Sequence, residues 1–348
     1  MTMNRHRARA LVCLMLAALL ALTGCSSRPE DRSAASFAPD EEHRLVVYTS
    51  HKEEVYRPII KEFEARTGIW VELVVGGTNE LLDRLVQEQE HPQADVMFGG
   101  GVDSLEAYAS CFTPYFCRDW ELLDPELRSP IGLWTPFSAL PVVLIYNTKL
   151  VSPGQLTAWS DLFSPAFQGR IAFCDPSVSG SSYTGLVTLL KAVGGDRDET
   201  LRRFAVSLDG RQLDSSGAVL DSVADGTDLV GITLEETALK RGAEGAELGI
   251  VYPSDGTSCV PDGCALVKGA AHEENAQLFL DFISGLDVQR QMETSFSRRP
   301  IRKIQDLAST LPLMENIPLV DYDIPWASEN HNKILMSWAF YFGGGEEP

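Results

Sequence analysis

The sequence predicts an α/β fold with two compact lobes, and three observations support this prediction. Short apolar runs alternate with runs of helical periodicity along most of the chain. Three successive apolar runs end in glycine, serine or threonine and lead directly into a helical pattern. About 320 residues follow an N-terminal leader, 44% of the whole chain is hydrophobic, and a chain of that size forms two cores rather than one.

The N-terminal residues 1–25 have the features of a secretory signal peptide. Arginines precede an apolar run without acidic residues at residues 10–22, and small residues follow it. This run is shorter than the roughly 20 residues that a membrane-spanning helix requires. Residues 22–25, Leu-Thr-Gly-Cys, resemble the lipobox of bacterial lipoproteins, which implies cleavage before Cys25 and a lipid on that residue. Residues 26–43 are polar and predict a flexible tether.

Three strand ends near the start of the mature chain are the first candidate ligand site. The apolar runs are residues 45–48, 70–75 and 94–98, and the residues after them are Thr49-Ser50, Gly76-Gly77-Thr78 and Gly99-Gly100-Gly101. Right-handed crossovers bring such strand ends to one edge of an open parallel sheet, where ligands bind. The glycines alone are weak evidence for a ligand site, because loops commonly contain glycine for conformational reasons.

A second candidate lies at residues 173–185, where a strand, a tight turn and a helix start follow one another. Asp-Pro opens the turn, and Ser179, Ser181 and Ser182 lie where the first helical N–H groups lack partners. Such a helix start binds anions through its free N–H groups, its hydroxyls and the helix dipole. The same serines are also ordinary helix caps, and the residues alone leave both interpretations open.

Three further segments complete the predicted order of elements. Residues 140–148 are a long strand that suits a crossing between lobes. A second Ser-Ser-Gly, containing Ser215 and Ser216, precedes a helix, and the strand at residues 229–234 ends in two glutamates. Residues 250–263 return toward the first lobe.

Five cysteines remain after the leader, and an extracytoplasmic compartment permits disulfide bonds. Cys259 and Cys264 flank Val-Pro-Asp-Gly, a turn signal that predicts a hairpin with the two sulfurs opposite each other. Cys111 and Cys117 are a second local candidate pair. Neither pair has the spacing of a zinc site, and Cys174 is predicted to be unpaired and buried.

The pattern as a whole resembles the extracellular solute-binding proteins of ABC importers, in the branch that contains ferric-iron, sugar-phosphate and aminoalkylphosphonate binders. The matching segments, in order, are residues 47–50, 63–69, 94–96, 146–151, 168–172, 179–183, 215–219, and 252–253 with 261–263. The resemblance implies a periplasmic-binding-protein-like fold of type II, in which two hinge crossings join the lobes. It implies residues 44–143 with 259–305 as lobe 1 and residues 144–258 with 306–348 as lobe 2.

The resemblance and the residue types together predict a binding site in the cleft between the lobes. The candidate ligand-binding residues are Thr49, Ser50, His51, Gly77, Thr78, Ser181, Ser182, Tyr183, Ser215, Ser216, Glu235, Glu236 and Asp262. Hydroxyl and backbone donors would surround a phosphate or phosphonate, and a glutamate would accept from hydroxyls or pair with an ammonium. Arg298 and Arg299 are expected to be exposed to solvent. If they faced the cleft instead, their positive charge would attract an anionic ligand.

Ferric iron is the alternative ligand. Iron binders of this branch have a tyrosine pair where this sequence has Glu235 and Glu236, but His51 matches a histidine that they use after their first strand. Without a ligand role, such a histidine would simply be solvated or hydrogen-bonded. The two glutamates would likewise be solvated residues at a helix start, where the helix dipole favours negative charge. The residues do not decide which glutamate faces the cleft.

A secreted hydrolase is the competing class of protein, and the motifs argue against it. The sequence has no Gly-x-Ser-x-Gly, Ser-x-x-Lys or His-Glu-x-x-His motif and no Walker loop. Adjacent glutamates on a strand face opposite sides and do not form an acid–base pair. The net charge of −20 argues against a nucleic-acid partner. We therefore predict a monomeric, non-enzymatic binding protein without a cofactor or resident metal. We expect its lipid to anchor it to the outer side of the cell membrane, in the periplasm or at the cell surface. There it would deliver a small anionic solute to ABC permease subunits.

Overall fold

The computed structural model describes residues 39–304 and 311–345. The predicted signal peptide, the predicted lipid site at Cys25 and residues 26–38 of the predicted tether lie outside these residues. The rest of the predicted tether contains a short 3-10 helix, Glu41–His43, that leads into the first strand. Within the described part of the chain, no helix has both the length and the hydropathy that a membrane span requires.

The first sheet begins with three parallel strands, as the alternating pattern predicts. β1 (Arg44–Thr49) lies between β2 (Trp70–Val75) and β3 (Val96–Gly101) and pairs in parallel with both. α1 (Glu53–Thr67) follows β1, and α2 (Thr78–Gln87) follows β2, so both helices begin where a strand ends. The carboxyl ends of these strands and the starts of these helices therefore lie at one edge of the sheet.

A long strand joins the two lobes. The remaining strands are, in chain order, β4 (Phe112–Thr113), β5 (Thr135–Asn147), β6 (Ile171–Ala172), β7 (Val230–Leu234), β8 (Leu248–Val251) and β9 (Cys259–Val267). β5 pairs with β9 along its first part and with β7 and β8 along its second part, always antiparallel. β9 continues the first sheet by pairing with β3 and β4, and β6 continues the second by pairing with β7. The result is a curled sheet in the order β2-β1-β3-β9-β5-β7-β6.

This connectivity is the predicted fold of two α/β lobes with two crossings. β5 is the first crossing, and the segment between β8 and β9 is the second. The remaining helices are, in chain order, α3 (Val102–Ala107), α4 (Gly180–Val193), α5 (Arg197–Leu208), α6 (Ser216–Ala224), α7 (Glu235–Ala243), α8 (Glu273–Ser284), α9 (Leu286–Phe296), α10 (Ile324–Glu329) and α11 (His331–Phe342). As in the first lobe, α4, α6 and α7 each begin shortly after an extended segment.

Separate hydrophobic cores stabilise the lobes. In the first lobe, Phe63 of α1 packs edge-on against Phe279 of α8, beneath the β1–β3 strands. In the second lobe, Trp338 of α11 packs against Phe173 and Phe204. The C-terminal helices therefore complete the core of the second lobe, whereas α8 and α9 complete that of the first.

The predicted disulfide hairpin is wrong. Cys259 and Cys264 belong to the same strand, β9, which runs without a turn through the Val-Pro-Asp-Gly segment. Five strand residues span about 16 Å, much farther than a disulfide reaches. Cys111 and Cys117 are not bonded to each other either, and each is buried in a different hydrophobic cluster. Cys174 is free and buried, as predicted.

Candidate ligand-binding cleft

A cavity of about 420 Å³ lies where the strand ends of the two lobes face each other. This volume is within the range of small-molecule sites. The residues that line it come from helix starts and strand ends of both lobes: Ser50, His51, Lys52, Gly76, Gly77, Thr78, Glu80, Gly100, Gly101, Leu140, Val178, Ser179, Gly180, Ser181, Thr184, Asp214, Ser215, Ser216, Thr233, Leu234, Glu236, Thr237, Val260, Pro261, Asp262 and Arg298. Two parts of this lining differ chemically: one has neutral glycine and hydroxyl residues, and the other has charged side chains and a histidine.

The first part is the helix-start wall, which consists of glycine and hydroxyl residues at the N-termini of α2, α4 and α6. Its members are Gly77, Thr78, Ser179, Ser181, Ser215 and Ser216. Ser179 is the N-cap of α4, and its hydroxyl oxygen accepts a hydrogen bond from the Ser182 N–H at 3.3 Å. Ser215 caps α6 in the same way, by accepting from the Ala218 N–H at 3.3 Å. Both predicted serine turns are therefore helix starts, and both face the cavity.

The two lobes touch at this wall. The backbone of Gly77 approaches the Val178 carbonyl so closely that a Cβ atom at position 77 would lie 2.8 Å from its oxygen. Next to it, the Asn79 side-chain amide donates a hydrogen bond to the Pro176 carbonyl at 2.9 Å. Only glycine fits at position 77 without a shift of one lobe relative to the other, since real Cβ contacts do not come that close.

The second part of the lining is the charged base, which consists of His51, Glu236, Asp262 and Arg298. All four side chains are more than nine-tenths buried. Asp262 accepts hydrogen bonds from the Ser138 N–H at 2.8 Å, the Ser138 hydroxyl at 2.6 Å and the Arg298 guanidinium at 2.6 Å. The same guanidinium donates to Glu236 at 3.2 Å. Arg298 therefore joins a carboxylate on β9 to a carboxylate at the start of α7.

Burial and charge shift the pKa values of the base in different directions. Burial raises the pKa of Asp262, and the nearby Arg298 offsets part of this shift. Burial lowers the pKa of Arg298, but the carboxylates of Glu236 and Asp262 outweigh burial and make the net shift upward. Burial, with a smaller contribution from Arg298, holds the pKa of His51 well below its usual value. His51 is therefore neutral at neutral pH.

His51 is fixed by aromatic packing rather than by a strong hydrogen bond. Its ring lies edge-on to Phe98 at 4.4 Å between centroids and tilted to Phe137 at 5.1 Å. Its Nε2 atom is 3.6 Å from Asp262 Oδ2 and has no hydrogen-bond partner among the described residues. The preceding turn is held by Thr49, whose hydroxyl donates to the Phe98 carbonyl at 2.8 Å and accepts from the His51 N–H at 3.2 Å.

The adjacent glutamates have different environments. Glu236 lines the cavity, whereas Glu235 is 1% exposed and does not. Arg299 donates two hydrogen bonds to Glu235, at 2.8 and 2.7 Å, and the Tyr252 hydroxyl donates a third at 2.6 Å. The arginines themselves are buried, so the expectation of exposed side chains is wrong, and Arg298 is a lining residue.

Four of the predicted site residues do not line the cavity. Thr49 and Glu235 are buried in the contacts described above. Ser182 is buried behind the helix start. Tyr183 is fully buried in the core of the second lobe and donates its hydroxyl to the Ala327 carbonyl at 2.5 Å.

Comparison with known proteins identifies the family. A family model described as bacterial extracellular solute-binding protein matches residues 95–325. The chain belongs to this family. Members of the family are binding proteins of ABC importers that act outside the cytoplasm, and they are not enzymes, as the sequence predicts.

Several relatives of this solute-binding protein have names that state a ligand. Iron uptake protein A1 of Synechocystis sp. is 28% identical over 280 residues, which cover 75% of this chain and 76% of that protein. The Fe(3+)-binding periplasmic protein of Serratia marcescens is 25% identical over 268 residues, covering 74% and 78%. A putative 2-aminoethylphosphonate-binding periplasmic protein of Salmonella typhi is 23% identical over 257 residues, covering 71% and 74%.

Solved structures show the same fold. The periplasmic binding protein AfuA from Actinobacillus pleuropneumoniae, with exogenous fructose-6-phosphate bound, superposes with a TM-score of 0.80 and 22% identity, covering 86% of this chain and 98% of that chain. Iron-bound HitA from Pseudomonas aeruginosa gives a TM-score of 0.74 and 20% identity, covering 86% and 99%. At these identities the structures support the fold of this solute-binding protein and not its ligand.

The sequence interpretation missed several lining residues of this solute-binding protein. Ser179 belongs to the predicted turn but is not among the predicted site residues. Its position as a helix N-cap is the sequence signal that would add it to the site. Lys52, Thr233 and Thr237 flank predicted residues and also line the cavity. No local signal distinguishes Arg298 from an exposed arginine, because its partners are distant in the sequence.

Proposed function

We propose that this solute-binding protein captures a small phosphorylated or phosphonate solute, a sugar phosphate or an aminoalkylphosphonate, in the cleft between its lobes. One observation carries the proposal: the N-termini of α2, α4 and α6, from both lobes, meet at one cavity lined by glycine and hydroxyl residues. The capture supplies the solute to ABC permease subunits.

The chemistry of the helix-start wall suits an oxyanion. The first N–H groups of each helix have no intrahelical acceptor, and the positive ends of the helix dipoles favour negative charge. The hydroxyl of Ser216 adds a donor, because Ser215 makes the cap bond instead. The Ser181 hydroxyl lies 3.0 Å from that of Ser179 and can donate to a solute when it accepts from Ser179. A phosphate or phosphonate presents several acceptor oxygens to such a set of neutral donors.

The rest of the cavity suits a polar far end of the solute. Glu236 lines the cavity next to Thr233 and Thr237. Its Oε1 accepts from Arg298 and from the Thr237 hydroxyl, so Oε2 is the atom that would accept from solute hydroxyls or pair with an ammonium. Names among the relatives are consistent with either solute: fructose-6-phosphate is bound to AfuA, and the Salmonella relative is named for 2-aminoethylphosphonate.

Ferric iron is the second candidate ligand, and two observations favour it. His51 and the carboxylates of Glu236 and Asp262 lie in one cavity, and two relatives are named for iron. Two other observations weigh against it. No tyrosine is among the lining residues of the described part of the chain, and Arg298 already pairs with both carboxylates.

Capture by closure follows from the two-lobe fold. The solute would contact both lobes at once, and these contacts would favour the closed population of the hinge. We assign residues 44–143 with 259–305 to lobe 1 and residues 144–258 with 306–348 to lobe 2. We further propose a monomer, with a signal peptide that ends at Cys25 and a lipid on Cys25 that holds the protein at the membrane.

A thermal-shift screen tests the ligand. Purified protein without residues 1–25 is heated with glucose-6-phosphate, fructose-6-phosphate, 2-aminoethylphosphonate, inorganic phosphate or ferric citrate. A ligand at about 100 times its Kd adds roughly 2.7 kcal/mol and raises the Tm by several degrees. We expect a rise with an organic phosphate or phosphonate. A rise with ferric citrate alone would contradict the proposal.

A pair of serine variants then tests the helix-start wall. Ser181→Ala removes a hydroxyl that lines the cavity, and we expect it to weaken binding by about tenfold, because hydrogen bonds to charged groups are strong. Ser177→Ala is the matched control in the same turn, since its hydroxyl is exposed and donates to Asp175 instead. Calorimetric titration that gives equal affinities for the two variants would refute this site.

A further inference from the structure

Arg298 occupies the position between the carboxylates of the charged base. It follows the end of α9 and reaches Asp262 on β9 with one guanidinium nitrogen, at 2.6 Å, and Glu236 at the start of α7 with another, at 3.2 Å. The arginine is 5% exposed, so water screens these contacts little. The two carboxylates of the charged base thus share one internal cation.

We propose that Arg298 sets the selectivity of the cleft against metal cations, by occupying the carboxylates that, with His51, would otherwise hold a hard cation. The proposal rests on the proposed capture of an oxyanion and adds the residue that excludes the competing class of ligand. A metal ion at this position would meet a fixed positive charge at short range in a buried site, where repulsion between like charges is strong.

The oxygens of Asp262 leave little room for a metal. Its Oδ1 accepts both hydrogen bonds from Ser138, and its Oδ2 accepts the short bond from Arg298. Carboxylate oxygens bind a hard cation only when their lone pairs are free. In the wild-type protein a metal that binds Asp262 would therefore have to displace the guanidinium or the Ser138 donors from this carboxylate.

A donor of the same guanidinium remains unused by the protein. Arg298 Nε is buried and has no hydrogen-bond partner among the described residues. An N–H group can donate only to an acceptor, such as an oxygen of an organic solute, and offers nothing to a metal ion. The guanidinium thus brings only N–H donors and positive charge to the base, and no atom that could coordinate a metal ion.

The neighbouring arginine provides a natural control. Arg299 is also buried and also binds a glutamate, Glu235, through two hydrogen bonds. Neither of these residues lines the cavity. Replacing Arg299 removes the same charge and frees a similar carboxylate, but it does not alter the base that faces the solute.

Equilibrium dialysis with gallium(III) nitrilotriacetate tests the proposal, because gallium is a hard, redox-inert trivalent cation. Wild type, Arg298→Met and Arg299→Met are compared at equal protein concentration, and bound gallium is measured by atomic emission. We expect Arg298→Met to bind gallium at least about tenfold more tightly than the other two proteins. The double variant Arg298→Met/Asp262→Asn should lose this gain.

Two further measurements guard against a folding defect. Arg298→Gln also lacks the charge but retains an amide that can donate to a carboxylate, so it should gain gallium binding with less structural disturbance. Gallium should raise the Tm of both Arg298 variants and not that of Arg299→Met. Folded Arg298 variants without any gain, or an equal gain in Arg299→Met, would overturn the proposal.

The outcomes separate this proposal from the proposed function. Tight gallium binding by wild type would overturn the role of Arg298, whatever the phosphate-ester screen shows. Wild type that binds no organic phosphate or phosphonate, together with a gallium gain confined to the Arg298 variants, would overturn the proposed function and leave the role of Arg298 intact.

Discussion

The helix-start wall and the charged base line the same cavity but differ in their polar groups: the wall has neutral hydrogen-bond donors, whereas the base has paired charges. The wall offers neutral donors, several of them at positions where helices leave N–H groups without partners. The base holds three formal charges that satisfy one another through Arg298. In the proposed function, the wall binds the charged end of the solute, and the base, in which Arg298 pairs with two carboxylates, faces the polar end.

The difference has an energetic consequence. The wall serines Ser179, Ser181, Ser215 and Ser216 remain at least partly exposed, and their burial costs little. Charges that are more than nine-tenths buried cost several kcal/mol each unless they are paired. Substitutions in the base should therefore change the free energy of unfolding far more than substitutions in the wall, although both parts face the same solute.

Replacement of Asp262 by alanine should have the largest effect. The change leaves the Arg298 charge with one partner and leaves two Ser138 donors without an acceptor. We expect a loss of about 3–5 kcal/mol in the free energy of unfolding, measured with urea at neutral pH. Asp214→Ala is the control, because Asp214 lines the same cavity but is exposed. A loss of similar size in both variants would mean that the buried contacts of Asp262 do not set the cost of its replacement.

The pH dependence of stability should report the buried histidine of the base. The pKa of His51 is well below 6.5 in the folded protein, so below that pH the unfolded chain binds a proton that the native state does not. Stability should then fall as the pH decreases from 7.5 to 5.5, by up to about 1.4 kcal/mol per pH unit for this residue. His331 has a lowered pKa and adds to the fall, whereas His272 has a raised pKa and opposes it.

The variant His51→Gln isolates the contribution of His51. It lacks the titrating ring, so its free energy of unfolding should depend less steeply on pH than that of the wild type between pH 7.5 and 5.5. Urea titrations at several pH values measure both slopes. Parallel curves would mean that His51 takes up its proton equally well in the folded state, which burial between two phenylalanine rings should prevent.

The fold was predictable because its signals are local and repeated. Each of the parallel strands β1, β2 and β3 is a mostly apolar run, and small residues stand at or just after its end, shortly before a helix begins. The hairpin prediction failed because a tertiary contact overrides a local turn signal. Pro261 lies opposite Ala139 of β5, whose N–H donates to the Arg299 carbonyl instead, so the proline does not interrupt the strand.

The helix-start wall was predictable for the same reason, since a capping serine and the N–H groups it satisfies lie within one turn of each other. The charged base was not predictable from the sequence. The partners of Arg298 lie 36 and 62 residues away in the sequence, and no periodicity connects them. Likewise, both glutamates follow the same strand, and Glu235 is held away from the cavity by Arg299 and Tyr252, which are distant in the sequence.

The smallest effects belong to the wall, where two adjacent serines differ in role. Ser215 caps α6 by accepting from the Ala218 N–H, so Ser215→Ala should lower the free energy of unfolding by about 1 kcal/mol. Ser216 is the first residue of α6 and lines the cavity, and Ser216→Ala should stay within about 0.5 kcal/mol of wild type. Urea unfolding measures both. If Ser216→Ala weakens solute binding without affecting stability, the wall recognises the solute through hydroxyls that the fold does not need. Equal losses of stability would mean instead that these hydroxyls serve the helix alone.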